Sequence, residues 1–347
     1  MISKFPLLKL PLLGIEAVVM NLEISNLIHL SLSTKRLNRL IKSLRLKMNK
    51  FRYVVRCNFT SILFNFKSPN QRGSWIFDHE NNPKGSHVTA SIGELELRTT
   101  LKDDKIYSDT TGNIQENVKV QMDYLKELIR FPVPDAQIQT DDLPDWKRPL
   151  FIGFSECQDL SIMGKNELKE ETLHEILQTC SVTDSIYMSV PMSSTFTYDL
   201  FQWKLPKAIH IKKSAHWVTA DMLFRFKCSH MTFNECQLTA QDFLQFVERW
   251  LNSDDTDFQY LHLKWKGRIP RDLNLVNLDV ELKEFDPERR NGYFPYTKYH
   301  SINVSAGQDF YRKDGVLASI LLTRWSAILC VFHERFPNLD GKKRMRP

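Results

Sequence analysis

The chain has 347 residues, of which 42% are hydrophobic and 25% charged, and its formal net charge is +6. That much apolar content excludes a wholly disordered chain and leaves room for one large domain beside a small one. Charges of both signs are spread along the sequence, so the positive balance is no more than a hint of anionic partners.

The first forty or so residues are rich in leucine. Pro11, after Leu10, suits the first position of a helix, where its missing N–H leaves nothing unpaired. Leu12, Ile15, Val18, Val19 and Leu22 then recur at helical spacing. Ser25 is placed to cap a second short helix carrying Leu27, Ile28 and Leu30. Ser33 or Thr34 is placed to cap a third, with Leu37, Leu40 and Ile41 on one side and Lys35, Arg36 and Arg39 on the other. So short a segment cannot bury all that apolar surface alone, and a partner protein is the simplest cover. A secretory signal is not expected: Lys9, Pro11 and Glu16 interrupt the apolar run, and Met20-Asn21-Leu22 offers no small-residue cleavage site. No window is long and uncharged enough to suggest a membrane span, so no membrane partner is expected.

This order of a Leu-Pro start, an aliphatic helix ending at Leu22, a Leu27–Leu30 helix and a Ser33-Thr34-Lys35-Arg36 turn resembles the F-box. Leu37 stands where many F-boxes carry Trp. The resemblance implies that residues 1–48 dock on a Skp-type adaptor and, through it, on a cullin-RING ubiquitin ligase. The contacts would come from Leu10, Pro11, Leu12, Ile15, Val18, Val19, Leu22, Leu27 and Leu30.

Residues 49–150 read as a β-rich lead-in. Strands are expected around Tyr53–Val55, Ile62–Phe64, Trp75–Phe77 and Leu95–Leu97, with a turn at Asn81–Gly85. Lys102 to Glu116 reads as a surface loop. Val118 to Arg130 reads as a helix with Val118, Met122, Leu125 and Ile129 on one face, stopped by Pro132 and Pro134. Asp141 to Pro149 reads as a connector.

Residues 151–340 carry a recurring unit of a short strand, a loop and often a helix. The strands are Leu160–Ile162, Ile186–Met188, Ile209–Ile211, Met231–Phe233 and Tyr260–Leu263. Their spacing of about 22 to 29 residues falls in the range of leucine-rich repeats. Val218-Thr219-Ala220 and Leu238-Thr239-Ala240 open two similar segments. Thr239 with Asp242 reads as a capping box before Phe243, Leu244, Val247, Trp250 and Leu251. Stacked units of this kind give a parallel sheet with helices outside and an open inner face. The fold class expected is therefore α+β or α/β: a small three-helix F-box, then a larger leucine-rich-repeat-like domain ending in a β-hairpin.

Phe233 to Trp250, followed by Phe258 to Leu263, resembles the type-2 F-box-associated domain of nematode F-box proteins. Such chains often end in a strand–Lys-Asp-Gly–strand hairpin, and Lys313-Asp314-Gly315 lies here between Phe310 and Leu322. Asp-Gly predicts a two-residue type I′ turn. Residues 268–307 read as an irregular surface loop and 341–347 as a basic tail.

No motif for catalysis is present: no Walker lysine loop, G-x-G-x-x-G, H-E-x-x-H or G-x-S-x-G. Acid pairs such as Asp103-Asp104, Asp141-Asp142 and Asp254-Asp255 sit in polar settings where solvation is the default reading. Six cysteines without a C-x-x-C read as reduced, mostly buried thiols of a cytoplasmic or nuclear protein. Cys228, His230 and Cys236 lack a visible fourth zinc ligand, so no metal is expected. No cofactor is expected either. The resulting expectation is a non-catalytic substrate receptor of a Skp–cullin–F-box type ligase that binds an unidentified protein target through unassigned residues. The alternative is a non-ligase scaffold or nucleic-acid-associated protein using basic surfaces such as Lys35–Arg56; nucleic acid is the less favoured partner.

Overall fold

Residues Leu12–Met20, Ile24–Ser33 and Lys35–Ser43 form helices α1, α2 and α3 in the computed structural model of the chain. It describes residues 10–48, 50–56, 59–65, 72–78, 87–92, 95–103, 105–109, 114–130, 132–141, 155–200, 204–288, 290–296 and 300–333. The expected turn at 81–85, most of the connector at 141–149 and the basic tail lie outside these residues. The chain divides into two compact units, residues 1–166 with 171–182, and residues 167–170 with 183–347. The division near 182–183 falls inside a strand, whereas the boundary drawn from the sequence, at 150–151, lies outside the described residues.

In the first unit the three helices precede β1 (Lys50–Val55), β2 (Phe59–Asn65), β3 (Arg72–Asp78), β4 (His87–Ile92), β5 (Leu95–Lys102) and β6 (Lys105–Asp109). These are followed by α4 (Ile114–Leu128), β7 (Asp135–Gln139), β8 (Glu156–Met163) and most of α5 (Glu170–Thr179). The strands lie side by side in the order β4–β5–β6–β3–β2–β1–β7–β8. β1 runs antiparallel to β2 and parallel to β7, and β7 runs parallel to β8. The stretch 102–116, expected as a loop, instead holds β6 and the start of α4. Asp103, with φ 49°, turns the chain tightly enough for β5 and β6 to pair. Ile106 and Ser108 are then buried, and Ser108 Oγ accepts the Trp75 indole N–H at 2.7 Å.

The N-terminal helices are packed into this unit. α2 lies against β3, β4, β5 and β6. Ser25 does not cap α2; Glu23 holds the cap position with no side-chain cap bond, and Ser25 is buried within the first turn. The reason is close packing on Gly73 of β3, where an added Cβ would come within 2.5 Å of both Ile24 Cγ2 and Ser25 Oγ. Thr34 does cap α3, its hydroxyl accepting from Leu37 N at 3.2 Å. Tyr124 of α4 ties the helices together: its hydroxyl lies 2.6 Å from Ser31 Oγ and accepts from Asn38 Nδ2 at 2.7 Å.

The second unit takes up β9 (Ser181–Ser189) from Thr183 onward, then β10 (Ala208–Ile211), α6 (Ala220–Arg225), β11 (His230–Cys236), α7 (Ala240–Leu251) and β12 (Tyr260–Trp265). β13 (Lys283–Glu284), β14 (Tyr293–Pro295), β15 (Ser301–Asn303), β16 (Gln308–Tyr311), β17 (Leu317–Leu322) and β18 (Ser326–Phe332) complete it. The order is β9–β10–β11–β12–β18–β17–β16–β13, with β14 and β15 as a separate pair. β9 to β12 are parallel and in sequence order, and β18, β17, β16 and β13 follow antiparallel. Together the two units make a mixed α/β protein, built mostly on strands, with seven α-helices among the described residues. No described helix is long and apolar enough to cross a membrane.

Alternation sorts each parallel strand into an apolar and a polar face. Ile209, Ile211, Met231, Phe233, Leu261 and Leu263 are all buried on one side. Thr239 opens α7 with a full capping box: Asp242 N donates to Thr239 Oγ1 at 3.1 Å, and Thr239 N donates back to the Asp242 carboxylate at 2.7 Å. Thr219 caps α6 with the forward bond alone, Met222 N donating to its hydroxyl at 3.3 Å. These caps satisfy N–H groups that the first helical turn leaves without partners.

Residues 268–307 hold more than a surface loop. Arg290 is buried, with Nε donating to both Asp309 oxygens and Nη2 donating to Asp309 Oδ1, Val304 O and Ser319 Oγ. Its guanidinium lies over the Phe285 ring at 4.4 Å. The β16–β17 turn is not type I′. Only Gly315 has positive φ, at 87°. Gly315 N donates to Arg312 O and Arg312 N donates to Val316 O, which makes a type I turn closed by a left-handed glycine. The Asp314 carboxylate accepts from Arg312 Nε, Arg312 Nη2 and Val316 N, fixing that aspartate at negative φ.

Candidate functional site

Two surfaces combine exposure with organised chemistry, one in each unit. The first is α1, Leu-Leu-Gly-Ile-Glu-Ala-Val-Val-Met, which is apolar nearly all round. Burying it on one side therefore leaves apolar groups on the other. Ile15 and Val19 are buried, as are Leu27 and Ile28 of α2. Leu13 remains 79% exposed and Met20 55%, and Ala17 between them is exposed too, an i, i+4, i+7 row along one face. Val18, at 36%, and Pro11 are exposed beside it.

Of the residues expected to meet an adaptor, Ile15, Val19 and Leu27 are therefore already covered by this chain's own atoms. Leu10, Leu22 and Leu30 are half-buried, Pro11 and Val18 are open, and the Leu12 side chain lies outside the described residues. The exposure of Leu13 and Met20 is not legible in the sequence, because periodicity cannot choose a face on a helix with so few polar residues. Glu16, the one charged residue in α1, is half-buried and gives no guide.

The second surface is the polar face of the β10–β11–β12 ladder. Register sets Ala208, His230 and Tyr260 in one row and His210, Thr232 and His262 in the next. Asn234 stands opposite Lys264 in a third, and Lys212 follows β10 with its N–H still donating to Met188 O at 2.7 Å. The three rows differ in cover. Tyr260 belongs to a buried cluster with Phe294, Val304, Ile328 and Cys330, and its ring stacks on Tyr296 at 5.2 Å. His210 Nδ1 and Thr232 Oγ1 are 3.0 Å apart in the middle row. Lys264 is exposed, and Lys212 and Asn234 are half-buried.

Electrostatics follow the burial. Burial first, then the Lys212 charge and then His230, lower the His210 pKa to about 3. Burial, Lys212 and Lys264 lower that of His262 to about 4. Both imidazoles are therefore neutral at pH 7. Lys212 is itself pulled down by burial and then by Lys264. Burial lowers His230, against an opposing pull from Asp184.

The remaining candidates do not assemble. Cys228 Sγ donates to Pro206 O at 3.2 Å, His230 Nδ1 meets Ser229 Oγ at 3.0 Å, and burial pushes the Cys228 thiol up to about 12 and the Cys236 thiol to about 11. Cys157 is raised by its hydrogen bond to Cys180 and by burial. Such thiols are poor nucleophiles, because the reactive form is the thiolate. Among the described residues no three His, Cys, Asp or Glu side chains converge as metal ligands would. Of the acid pairs, Asp141 accepts the backbone N–H groups of Lys165 and Asn166, and Asp255 those of Asp257 and Phe258.

Comparison with known proteins bears on the second surface directly. Residues 201–263 match a family model described as F-box associated. Two proteins of Caenorhabditis elegans, each described as an uncharacterized protein, are similar along most of the chain. One is 24% identical over 366 aligned residues, covering 99% of this chain and 81% of its own. The other is 21% identical over 334, covering 92% of this chain and 75% of its own. No solved structure matches the chain.

Proposed function

We propose that the chain is a non-catalytic substrate-recognition subunit of a Skp–cullin–F-box type ubiquitin ligase, working in the cytoplasm or nucleus. The observation that carries this reading is the match of residues 201–263 to a family described as F-box associated. It is supported by the bare apolar row Leu13–Ala17–Met20 on α1, in the N-terminal stretch that resembles an F-box. Contiguous exposed apolar groups mark interaction surfaces. The adaptor would cover that row together with Pro11 and Val18, and with the half-buried Leu10, Leu22 and Leu30. The parallel, sequentially ordered strands β9 to β12, with α6 and α7 in their connections, support a repeat-like second unit that holds the target. The chain would then contribute proximity, raising the effective concentration of target near the transferring enzyme.

Co-expression with a Skp-type adaptor tests this. Leu13→Asp with Met20→Asp places two charges on the exposed row and should abolish co-purification, while the thermal unfolding midpoint stays near that of the unmodified chain. Equal co-purification of the double variant would refute the docking assignment.

A further inference from the structure

We propose that Lys212, Asn234, His262 and Lys264 form an oxyanion-binding site that takes an anionic side chain, phosphate or carboxylate, borne by a protein ligand. The inference deepens the capture reading above and rests on it only for the source of the anion. Three of the four residues lie inside the matched segment 201–263, and Lys264 follows it directly.

The geometry comes from the ladder. Lys264 and Asn234 are register partners on adjacent strands, and His262 sits one row below on the same face. The Asn234 amide donates to Lys212 O at 3.2 Å, which draws the third strand into the same group. Lys212 Nζ lies 5.8 Å from the centroid of the Tyr296 ring, so an aromatic wall stands beside the ammonium. Asn234, His262 and Lys264 stand on strands, which hold side chains more rigidly than loops do.

The charges are unbalanced. Among the described residues neither Lys212 nor Lys264 has an ion-pair partner, whereas the nearby Lys207 pairs with Asp184 at 3.2 Å. Glu235, the carboxylate next to Asn234, is exposed and accepts from Ser214 N at 3.2 Å. Lys264 opposes the charge of Lys212, and with neither ion-paired among the described residues the pair favours an anion.

Hydrogen bonding is also incomplete. His262 Nε2 and Asn234 Oδ1 are buried atoms with no partner among the described residues. Buried polar atoms are normally paired, so each exception needs an explanation. A neutral His262 with its proton on Nε2 offers a donor to an oxyanion. Asn234 Oδ1 needs a donor, which a peptide N–H beside an acidic or phosphorylated residue supplies. The combination of two ammonium groups, one imidazole N–H and one amide oxygen fits an anionic side chain on a polypeptide better than a free ion.

The test uses the full chain in two steps. Inorganic phosphate is titrated while the His262 ring resonance, assigned with His262→Gln, is followed in histidine-labelled protein. Arrays of degenerate peptides with a fixed central phosphoserine, glutamate or serine are then probed. The proposal expects a saturable His262 shift, retention on at least one anionic array above the serine array, and weakening of about tenfold or more in Lys212→Met with Lys264→Met. Asn234→Asp, which adds a charge without removing volume, should lose binding as well. The phosphoserine and glutamate arms tell which source is preferred. No phosphate-induced shift, a shift unchanged in the double variant, equal retention on all three arrays, or strongly salt-dependent binding of single-stranded RNA in place of peptide would each overturn it. Phosphate and peptide binding do not involve α1, so a failed adaptor test and a failed anion test are separate results.

Discussion

Arg290 and Asp309, nineteen residues apart, form an ion pair closed to solvent, with side-chain exposures of 0% and 7%. Three of the guanidinium's hydrogen bonds go to that carboxylate and two more to Val304 O and Ser319 Oγ. Such a pair is costly to break from one side, because the surviving charge is left buried. Arg290→Met should therefore destabilise the chain by about 3–5 kcal/mol. Adding Asp309→Leu should recover part of that loss. Urea unfolding of the two variants checks both statements.

Gly73 gives a second test. A Cβ there meets Ile24 and Ser25 of α2, whereas one at Gly267 meets nothing within 4 Å among the described residues. Gly73→Val should cost about 1–3 kcal/mol by overpacking. Gly267→Ala should leave the thermal midpoint almost unmoved.

The capping box on α7 is reciprocal, so its two members should not act independently. Thr239→Ala should cost about 1 kcal/mol. Thr239→Ala with Asp242→Ala should cost less than the sum of the two single changes, since each removes part of the same pair of bonds. Denaturant midpoints of the three variants measure the coupling.

Acid should weaken the second unit through its buried imidazoles. His210 has an ordinary value of 6.5 and a folded one of about 3, so between these pH values the unfolded chain takes up a proton that the folded chain refuses. Stability then falls as pH drops through that window, by up to about 1.4 kcal/mol per pH unit for one imidazole. His210→Gln should flatten the slope of stability against pH below 6.5 relative to the unmodified chain. Denaturant titrations at a series of pH values show whether it does.

Local chemistry was legible in the sequence where the partners are close along the chain. Thr34 with Leu37 and Thr239 with Asp242 act within one helical turn, and both caps form as their spacing implies. The five short apolar stretches from Leu160 to Leu263 all lie in strands, because alternation is a local signal. What depends on distant packing was not legible. Ser25 has the chemistry of a cap, yet the sheet strand carrying Gly73 pulls it into the interior. Arg290 sits in a charged, proline-containing stretch that reads as solvated, and its contacts with Asp309, Val304 and Ser319, distant in sequence, make it a core residue. On the polar ladder face the row of Lys212, Asn234 and Lys264 emerges only from strand register, since these residues are 22 and 30 positions apart in the chain.

β18 runs against β12, and β17, β16 and the two-residue β13 continue in alternating directions. A stack of like-oriented rungs can in principle lengthen by duplicating its last unit, because the new rung finds the same docking edge as the old one. Here that edge is already occupied by a strand of opposite sense, and the outermost one is too short to template another chain.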